Sequence, residues 1–290
     1  MNDMTRDGSR HQGLEISHDG HRTRLKWHRL RRRLSDPLFS AERMAEGFAL
    51  GASMELDLRV RADGGFVVLH DDTLAGETTG QGVIAEMTRD QIATAAYADG
   101  RPLTFSEDLA AMLSSAHPDA LLQFDMKDAL PAIGPRGIAH LAELFADPPC
   151  PLIVSADDSD LIVEVKRAIP SLQRGIDPTI AMLEHYRAEG LGAAEAVLRS
   201  ELAGPAEPET VYLEWQMVLE SARQGLDLIA ICHDHGKIVD AWTYTLADPA
   251  AGFSDSEWQQ VSALMALKPD QITTDEPIAT EQAWTARNAA

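Results

Sequence analysis

Eight short runs of β-forming, largely apolar residues recur along the chain, and most are followed by a longer stretch whose apolar positions keep helical spacing. The runs cover residues 24–28, 53–59, 121–127, 151–155, 172–177, 210–215, 238–243 and 271–274. Residues 40–50 predict a helix with Ser40 as N-cap and Gly51 as its stop. Residues 106–114 predict another, with Ser106 as cap ahead of Leu109 and Met112. Asp158 or Ser159 caps a helix running to Ala168, and the Ala-rich stretch 189–210 reads as a helix, then a loop at Gly204-Pro205. Eight strands alternating with helices predict an α/β fold, a (β/α)₈ TIM barrel.

The rhythm breaks once. About 60 residues separate the second and third strands, far more than a loop and one helix need. Within them Asp63-Gly64 is a hairpin turn signal flanked by 56–61 and 66–69, and Gly76, Thr78-Thr79-Gly80 and Gly82 form a turn-rich stretch. An insertion over about 61–105, at the carboxyl face where barrels build their sites, is expected. Residues 1–20 read as a flexible N-terminal tail and 21–290 as a single barrel domain.

Barrel chemistry sits at the carboxyl ends of strands, so the polar residues there matter most. The first strand ends Lys26-Trp27-His28-Arg29. The second carries Glu55 and Asp57, two apart and therefore on one face; the third places Asp125 and Lys127 the same way. The hairpin in the insertion ends Leu69-His70-Asp71. Three inward carboxylates repel one another unless a cation neutralises them, and their hard oxygens suit one divalent ion, Mg²⁺ or Ca²⁺. Such an ion can polarise a phosphoryl oxygen and steady a hydroxyl nucleophile. Arg29, through its planar fork, and Lys127 can balance the charge of a phosphodiester. His28 and His70 can divide the proton work, one as base and one as acid. Taken singly, an inward carboxylate is more often a buried salt-bridge partner, and a strand-end histidine a hydrogen-bonded turn residue. Their coincidence at neighbouring strand ends outweighs those readings and points to a small-molecule phosphate ester as substrate.

Other polar residues carry less. His233-x-His235 looks like a metal pair but precedes Gly236-Lys237 and the seventh strand, at the barrel's amino end. Asp71 and Asp72 either orient His70 or face solvent, and Asp275 either arranges the mouth or caps a turn. Tyr212, Glu214 and Trp215 end the sixth strand within reach of a substrate. His11, His18 and His21 lie in or near the tail and receive no role.

The 290 residues hold 25 Lys+Arg against 46 Asp+Glu, a formal charge of −21, which argues against nucleic acid or an anionic membrane as partner. Arg22, Arg24, Lys26, Arg29, Arg31, Arg32 and Arg33 nevertheless cluster with no acidic residue among them, either to attract a small anion or as a solvated or contact stretch. Cys150 and Cys232 are too few for a disulfide framework, which fits a reducing compartment. Residues 1–20 lack the apolar core of a signal peptide, and no stretch approaches the roughly 20 apolar residues of a membrane span. A soluble, cytoplasmic protein with no stable membrane insertion is expected, its oligomeric state open.

In order along the chain, His28-Arg29, Gly51-Ala52-Ser53-Met54-Glu55-Leu56-Asp57 and Asp63-Gly64-Gly65-Phe66-Val67-Val68-Leu69-His70-Asp71 resemble the signature of glycerophosphodiester phosphodiesterases. Thr78-Thr79-Gly80-x-Gly82, Pro102-Leu103-Thr104, Asp125-Met126-Lys127, Trp242-Thr243-Tyr244 and Thr274-Asp275-Glu276-Pro277 extend it from about residue 24 to 278. Each fragment is weak alone; together they are specific. The resemblance implies metal-dependent hydrolysis of glycerophosphodiesters to sn-glycerol 3-phosphate and an alcohol. It implies that His28 and His70 are the acid/base pair, that Arg29 and Lys127 hold phosphate, and that Trp242 lines the site beside the leaving group. Glu55 and Asp57 would bind the metal, with Asp125 in place of the family's usual glutamate. A substrate glycerol hydroxyl would attack phosphorus, giving a cyclic intermediate that water opens.

Two departures stand out. The family's glycine after His-Arg is Leu30, and its Pro-Glu-Asn-Thr loop is replaced by Ser35-Asp36-Pro37-Leu38-Phe39-Ser40, leaving open whether Asp36 replaces the loop's glutamate. A lipid-directed diesterase resembling lysophospholipase D or sphingomyelinase D, and a non-catalytic barrel that binds a phosphorylated ligand, therefore stay open as alternatives. Retention of both histidines and all three carboxylates weighs against the last.

Overall fold

A computed structural model describes residues 12–113 and 116–289. Ten strands form one sheet: β1 (Glu15–His18), β2 (His21–Trp27), β3 (Ser53–Val60), β4 (Phe66–Val68), β5 (Leu121–Met126), β6 (Leu152–Ala156), β7 (Gln173–Ile176), β8 (Thr210–Glu214), β9 (Ile238–Trp242) and β10 (Gln271–Thr274). The parallel neighbours run β2-β10-β9-β8-β7-β6-β5-β3, and β2 pairs back onto β3, which closes an eight-stranded barrel. All eight expected strands are present, with ends shifted by up to three residues.

Alternation along β3 and β5 explains the two faces of the barrel. Met54, Leu56, Leu58, Leu122, Phe124 and Met126 are buried in the apolar layer beneath the helices. Ser53, Glu55, Asp57, Gln123 and Asp125 make polar contacts across the interior instead. There Lys26, fully buried, donates to Gln123 Oε1 at 2.5 Å and pairs with Asp240 at 2.5 Å. Gln123 donates to Ser155 Oγ (2.8 Å), and Ser155 in turn to Asp125 Oδ1 (2.9 Å). Ser53 donates to Gln271 (2.6 Å) and Thr273 to Asp240 (2.8 Å). Lys26, Gln123, Ser155, Asp240, Ser53, Gln271 and Thr273 thus each have a partner supplied by another strand.

The helices follow their caps. Ser40 accepts from the Arg43 N–H at 3.4 Å and Gly51 ends the helix Ala41–Leu50 at φ +77°, a left-handed stop suited to glycine. Asp158 caps Ser159–Ala168. Ser106 is not a cap: it is the first residue of the helix Ser106–Met112, and its hydroxyl serves Phe66 and His140 while Asp108 takes the Phe105 N–H. Residue 114 lies outside the described residues. The Ala-rich stretch is the helix Leu191–Leu202, set off by Gly190 from a helix Thr179–Glu189.

The expected hairpin forms in the insertion. β4 pairs antiparallel with β3, Leu58 opposite Val68 and Val60 opposite Phe66, and Gly64 takes φ +87° in the turn. Buried Arg61 anchors it through Asp63, Glu107 and the Phe66 carbonyl. The expected tail needs correction. Residues 15–18 form β1, antiparallel to β2, and the Trp27 indole donates to the Gly13 carbonyl at 2.7 Å, so 12–20 are folded onto the barrel; residues 1–11, with His11, lie outside the described residues. Cys150 and Cys232 are buried and free. Among the described residues no helix is long and apolar enough to cross a membrane.

Replacing Lys26 by Met would leave Asp240 buried without its ammonium. Such broken pairs cost about 3–5 kcal/mol, so urea unfolding of Lys26→Met should show a loss of that order. Lys26→Met with Asp240→Leu should recover most of it; an unaffected single variant would show that the pair does not hold the interior.

Candidate active site

The carboxyl mouth begins where β2 ends. His28, Arg29 and Leu30 form a single 3₁₀ turn in which Arg29 (φ +52°) and Leu30 (φ +59°) are both left-handed. Such conformations cost a non-glycine residue about 1–2 kcal/mol. Leu30 offsets that by burying its side chain against Phe39, Met44, Leu56 and Val68, which is how a leucine occupies this turn. The turn points the Arg29 N–H at Glu55 Oε2 (2.8 Å) and brings its guanidinium 3.2 Å from Asp57 and 3.6 Å from Glu77.

Glu55 and Asp57 from β3 and Asp125 from β5 converge, each offering an oxygen within 4.8 Å of the others. The strands are in register at Asp57 and Asp125, which sets the two carboxylates side by side. Glu55 Oε1 and Asp57 Oδ2 are buried without a hydrogen-bond partner, while Lys127 lies 2.5 Å from Asp125 and 3.0 Å from Asp57. Burial, with Asp57 and Asp125 alongside, pushes the Glu55 carboxyl well above its usual range. Burial also works to raise Asp57, but Lys127, Arg29 and the two histidines outweigh it and hold Asp57 low. Burial disfavours the Lys127 ammonium, yet Asp125, Asp57 and Glu55 more than restore it and raise it above an ordinary lysine. Hard, partly orphaned oxygens around one point fit a divalent cation.

Two histidines flank this cluster, each steered by a carboxylate. His28 Nδ1 lies 2.8 Å from Asp275 Oδ1, and His70 Nδ1 3.0 Å from Asp71 Oδ1. A carboxylate only accepts, so each Nδ1 carries a proton and each Nε2 is left without a protein partner among these contacts. A cavity of about 480 Å³ is lined by His28, Arg29, Glu55, His70, Asp125, Lys127 and Trp242, with Asp57 just beneath. The Trp242 indole nitrogen is buried and unpartnered. All eight candidate residues are therefore brought to one mouth.

Three residues without an assigned place hold the loops together. Arg59 donates to the carbonyls of His70 and Lys127, both at 2.7 Å, tying the insertion to the end of β5. Glu77 accepts from the backbone of His70 and Asp71. Asp275 binds His28, Arg31 and Thr245 together. Asp275 stood open between two roles, and the contact to His28 resolves it; nothing in the local pattern marked Arg59 or Glu77.

The basic stretch is mostly neutralised. Arg31 pairs with Asp275, and Arg32 pairs with Glu46 and lies over the Trp27 ring; of 29–33, Arg29 alone lines the cavity. Asp36 does not replace a loop glutamate in the mouth. Its carboxylate accepts the Arg32 and Arg33 N–H groups, both at 3.0 Å, and closes its own turn. His233 is bound to Asp270 and His235 to the Ile231 carbonyl, away from the mouth. Tyr212 lines the cavity, whereas Glu214 and Trp215 do not, Trp215 packing edge-on to Tyr244.

Residues 39–146 match the model of the Glycerophosphoryl diester phosphodiesterase family, a span that holds Glu55, Asp57, His70, Asp125 and Lys127. No curated protein sequence matches the chain. Among solved structures, a candidate glycerophosphoryl diester phosphodiesterase of Silicibacter pomeroyi superposes with TM-score 0.67 at 20% identity, covering 95% of this chain and 96% of its own. The glycerophosphodiester phosphodiesterase of Thermotoga maritima gives 0.59 at 19%, covering 91% and 97%. An Oleispira antarctica phosphodiesterase in complex with the product sn-glycerol-3-phosphate gives 0.58 at 15%, covering 89% and 95%. At these identities the likeness establishes a shared fold.

Burial opposes ionisation of Asp275, but the hydrogen bond and charge of His28, then Arg31 and Thr245, lower it from 3.8 to about 2. The unfolded chain therefore takes up this proton first as pH falls. The stabilisation is full above pH 3.8 and is lost as pH drops through about 2. Asp275→Asn should remove roughly 2 kcal/mol at neutral pH and flatten stability between pH 4 and 2. Urea titrations across that window check it; an unchanged acid limb would rule the linkage out.

Proposed function

Because the chain belongs to the glycerophosphoryl diester phosphodiesterase family, whose members are phosphoric diester hydrolases, we propose that it cleaves glycerophosphodiesters to sn-glycerol 3-phosphate and an alcohol with the aid of one divalent cation. The observation that carries this reading is the facing of two carboxylate-steered histidines across a cluster of three carboxylates, with Arg29 and Lys127 at its rim.

Each group then has one task. Glu55, Asp57 and Asp125 hold the cation, Mg²⁺ or Ca²⁺ by the hardness of the oxygen set. When bound, it supplies Lewis-acid polarisation of a phosphoryl oxygen and offsets the three like charges. Arg29 and Lys127 hold the non-bridging oxygens, whose charge grows as the phosphorus centre is attacked. One histidine enters the step neutral, and its free Nε2 takes the proton of the attacking hydroxyl. The other enters as the imidazolium, and its Nε2–H gives a proton to the departing oxygen. Asp275 and Asp71, each on an Nδ1–H, turn the rings so that both Nε2 atoms face the mouth. Trp242 forms the apolar flank of the bound ester.

Release of sn-glycerol 3-phosphate from glycerophosphoethanolamine should need Mg²⁺ or Ca²⁺ and stop with chelator. His28→Ala and His70→Ala should each lower kcat about 10²–10⁴-fold. Metal-independent release, or full activity in either variant, would sink the assignment. No release from any soluble glycerophosphodiester would redirect it to a lipid diester or to binding alone.

A further inference from the structure

The cavity has two unlike walls. Towards β3 and the insertion stand the basic residues His28, Arg29, Arg59, His70 and Lys127, beside Glu55 and Asp125. Across it stand Asp157 and Asp177, just past the ends of β6 and β7, and Tyr212 of β8. Ala156 pairs with Ile176 and Ile176 with Val211, so the next residue of each strand, Asp157, Asp177 and Tyr212, falls at one level. The Asp177 N–H donates to the Ala156 carbonyl at 3.0 Å and keeps that register at the rim.

These groups are unspent. Among the described residues neither carboxylate forms an ion pair, and Asp177 is met by Thr179, whose N–H it accepts at 2.9 Å. Tyr212 is 3% exposed and lines the cavity, yet its hydroxyl has no partner. Its ring is admitted by Gly175, where a Cβ would lie 2.4 Å from Tyr212 Cε2. A group of three or more metal-ligating side chains gathered round one point occurs, among the described residues, only at Glu55, Asp57 and Asp125.

We propose that Asp157, Asp177 and Tyr212 form a subsite for a cationic alcohol of the amino-alcohol class, carrying a primary ammonium. The inference rests on the diesterase reading and adds which alcohol leaves. With phosphate held by Arg29 and Lys127, the esterified alcohol extends to the opposite wall. An ammonium offers three donors, and the wall offers two carboxylates and a phenolic oxygen as acceptors. A neutral polyol would supply no charge to hold Asp157 and Asp177 ionised against their burial. Burial pushes the Asp177 carboxyl up to about 8, a shift that a cation beside it would reverse.

The test compares kcat/KM for glycerophosphoethanolamine and glycerophosphoglycerol on the metal-loaded full chain, in wild type and in Asp157→Asn/Asp177→Asn. Calorimetric binding of ethanolamine alone is measured beside it. The wild-type ratio should favour the cationic diester by at least about tenfold and fall to near one in the double variant, which should also bind ethanolamine at least about tenfold more weakly. Tyr212→Phe, which removes only the phenolic oxygen, should lower the same ratio and decides the matter if the double variant fails to fold. A wild-type ratio near one, a ratio unchanged by the substitutions, or a second metal ion per chain lost in the double variant overturns the subsite. If no diester is cleaved, the diesterase reading fails, and ethanolamine binding by itself decides the subsite.

Discussion

Three carboxylates held within 4.8 Å of one another inside a closed barrel set the terms for the rest of this molecule. Like charges at that distance, shielded from water, repel strongly unless cations answer them. The chain answers with Lys127 and Arg29, with the Arg29 backbone N–H on Glu55, and with a Glu55 carboxyl that burial drives towards its neutral form. A site arranged this way is strained in charge, and a divalent ion would relieve it. The same repulsion that makes the cluster costly makes it receptive.

The polar interior below the mouth extends that logic. Lys26, Gln123, Ser155 and Asp240 form a chain of contacts that ends on Asp125, so the position of a site carboxylate is referred to the bottom of the barrel. Above it, Arg59 ties the insertion to β5, and Glu77 fixes the backbone at His70. The insertion is thus a wall of the site, held by ionic contacts where a βα loop would otherwise be free. Asp275 does the equivalent on the opposite side, joining the last strand to the first turn through His28 and Arg31.

The first βα turn shows how a local departure is absorbed. Leu30 accepts a left-handed backbone and repays it with burial, and Asp36 closes the turn that follows by taking two backbone N–H groups. Neither change moves His28 or Arg29 out of the mouth. Of the basic cluster after His28, Arg31 is answered by Asp275 and Arg32 by Glu46, leaving Arg29 to face the cavity.

By itself, the sequence determined the barrel and the core of the site. Period-two alternation in residues 53–59 and 121–127 puts Glu55 with Asp57, and Asp125 with Lys127, on one face of their strands, opposite the apolar residues between them. Asp63-Gly64 likewise marks the hairpin that delivers His70. The partners of those groups were decided only by tertiary structure. Asp275 reaches His28 from 247 residues away, and Arg59 meets Lys127 from 68, distances over which no local pattern carries information. The folding of residues 12–20 onto the barrel, the neutralising of the arginines after His28, and the acidic wall at the ends of β6 and β7 belong to the same class. Each depends on which strand ends closure of the barrel brings together, and closure is a property of the whole sheet.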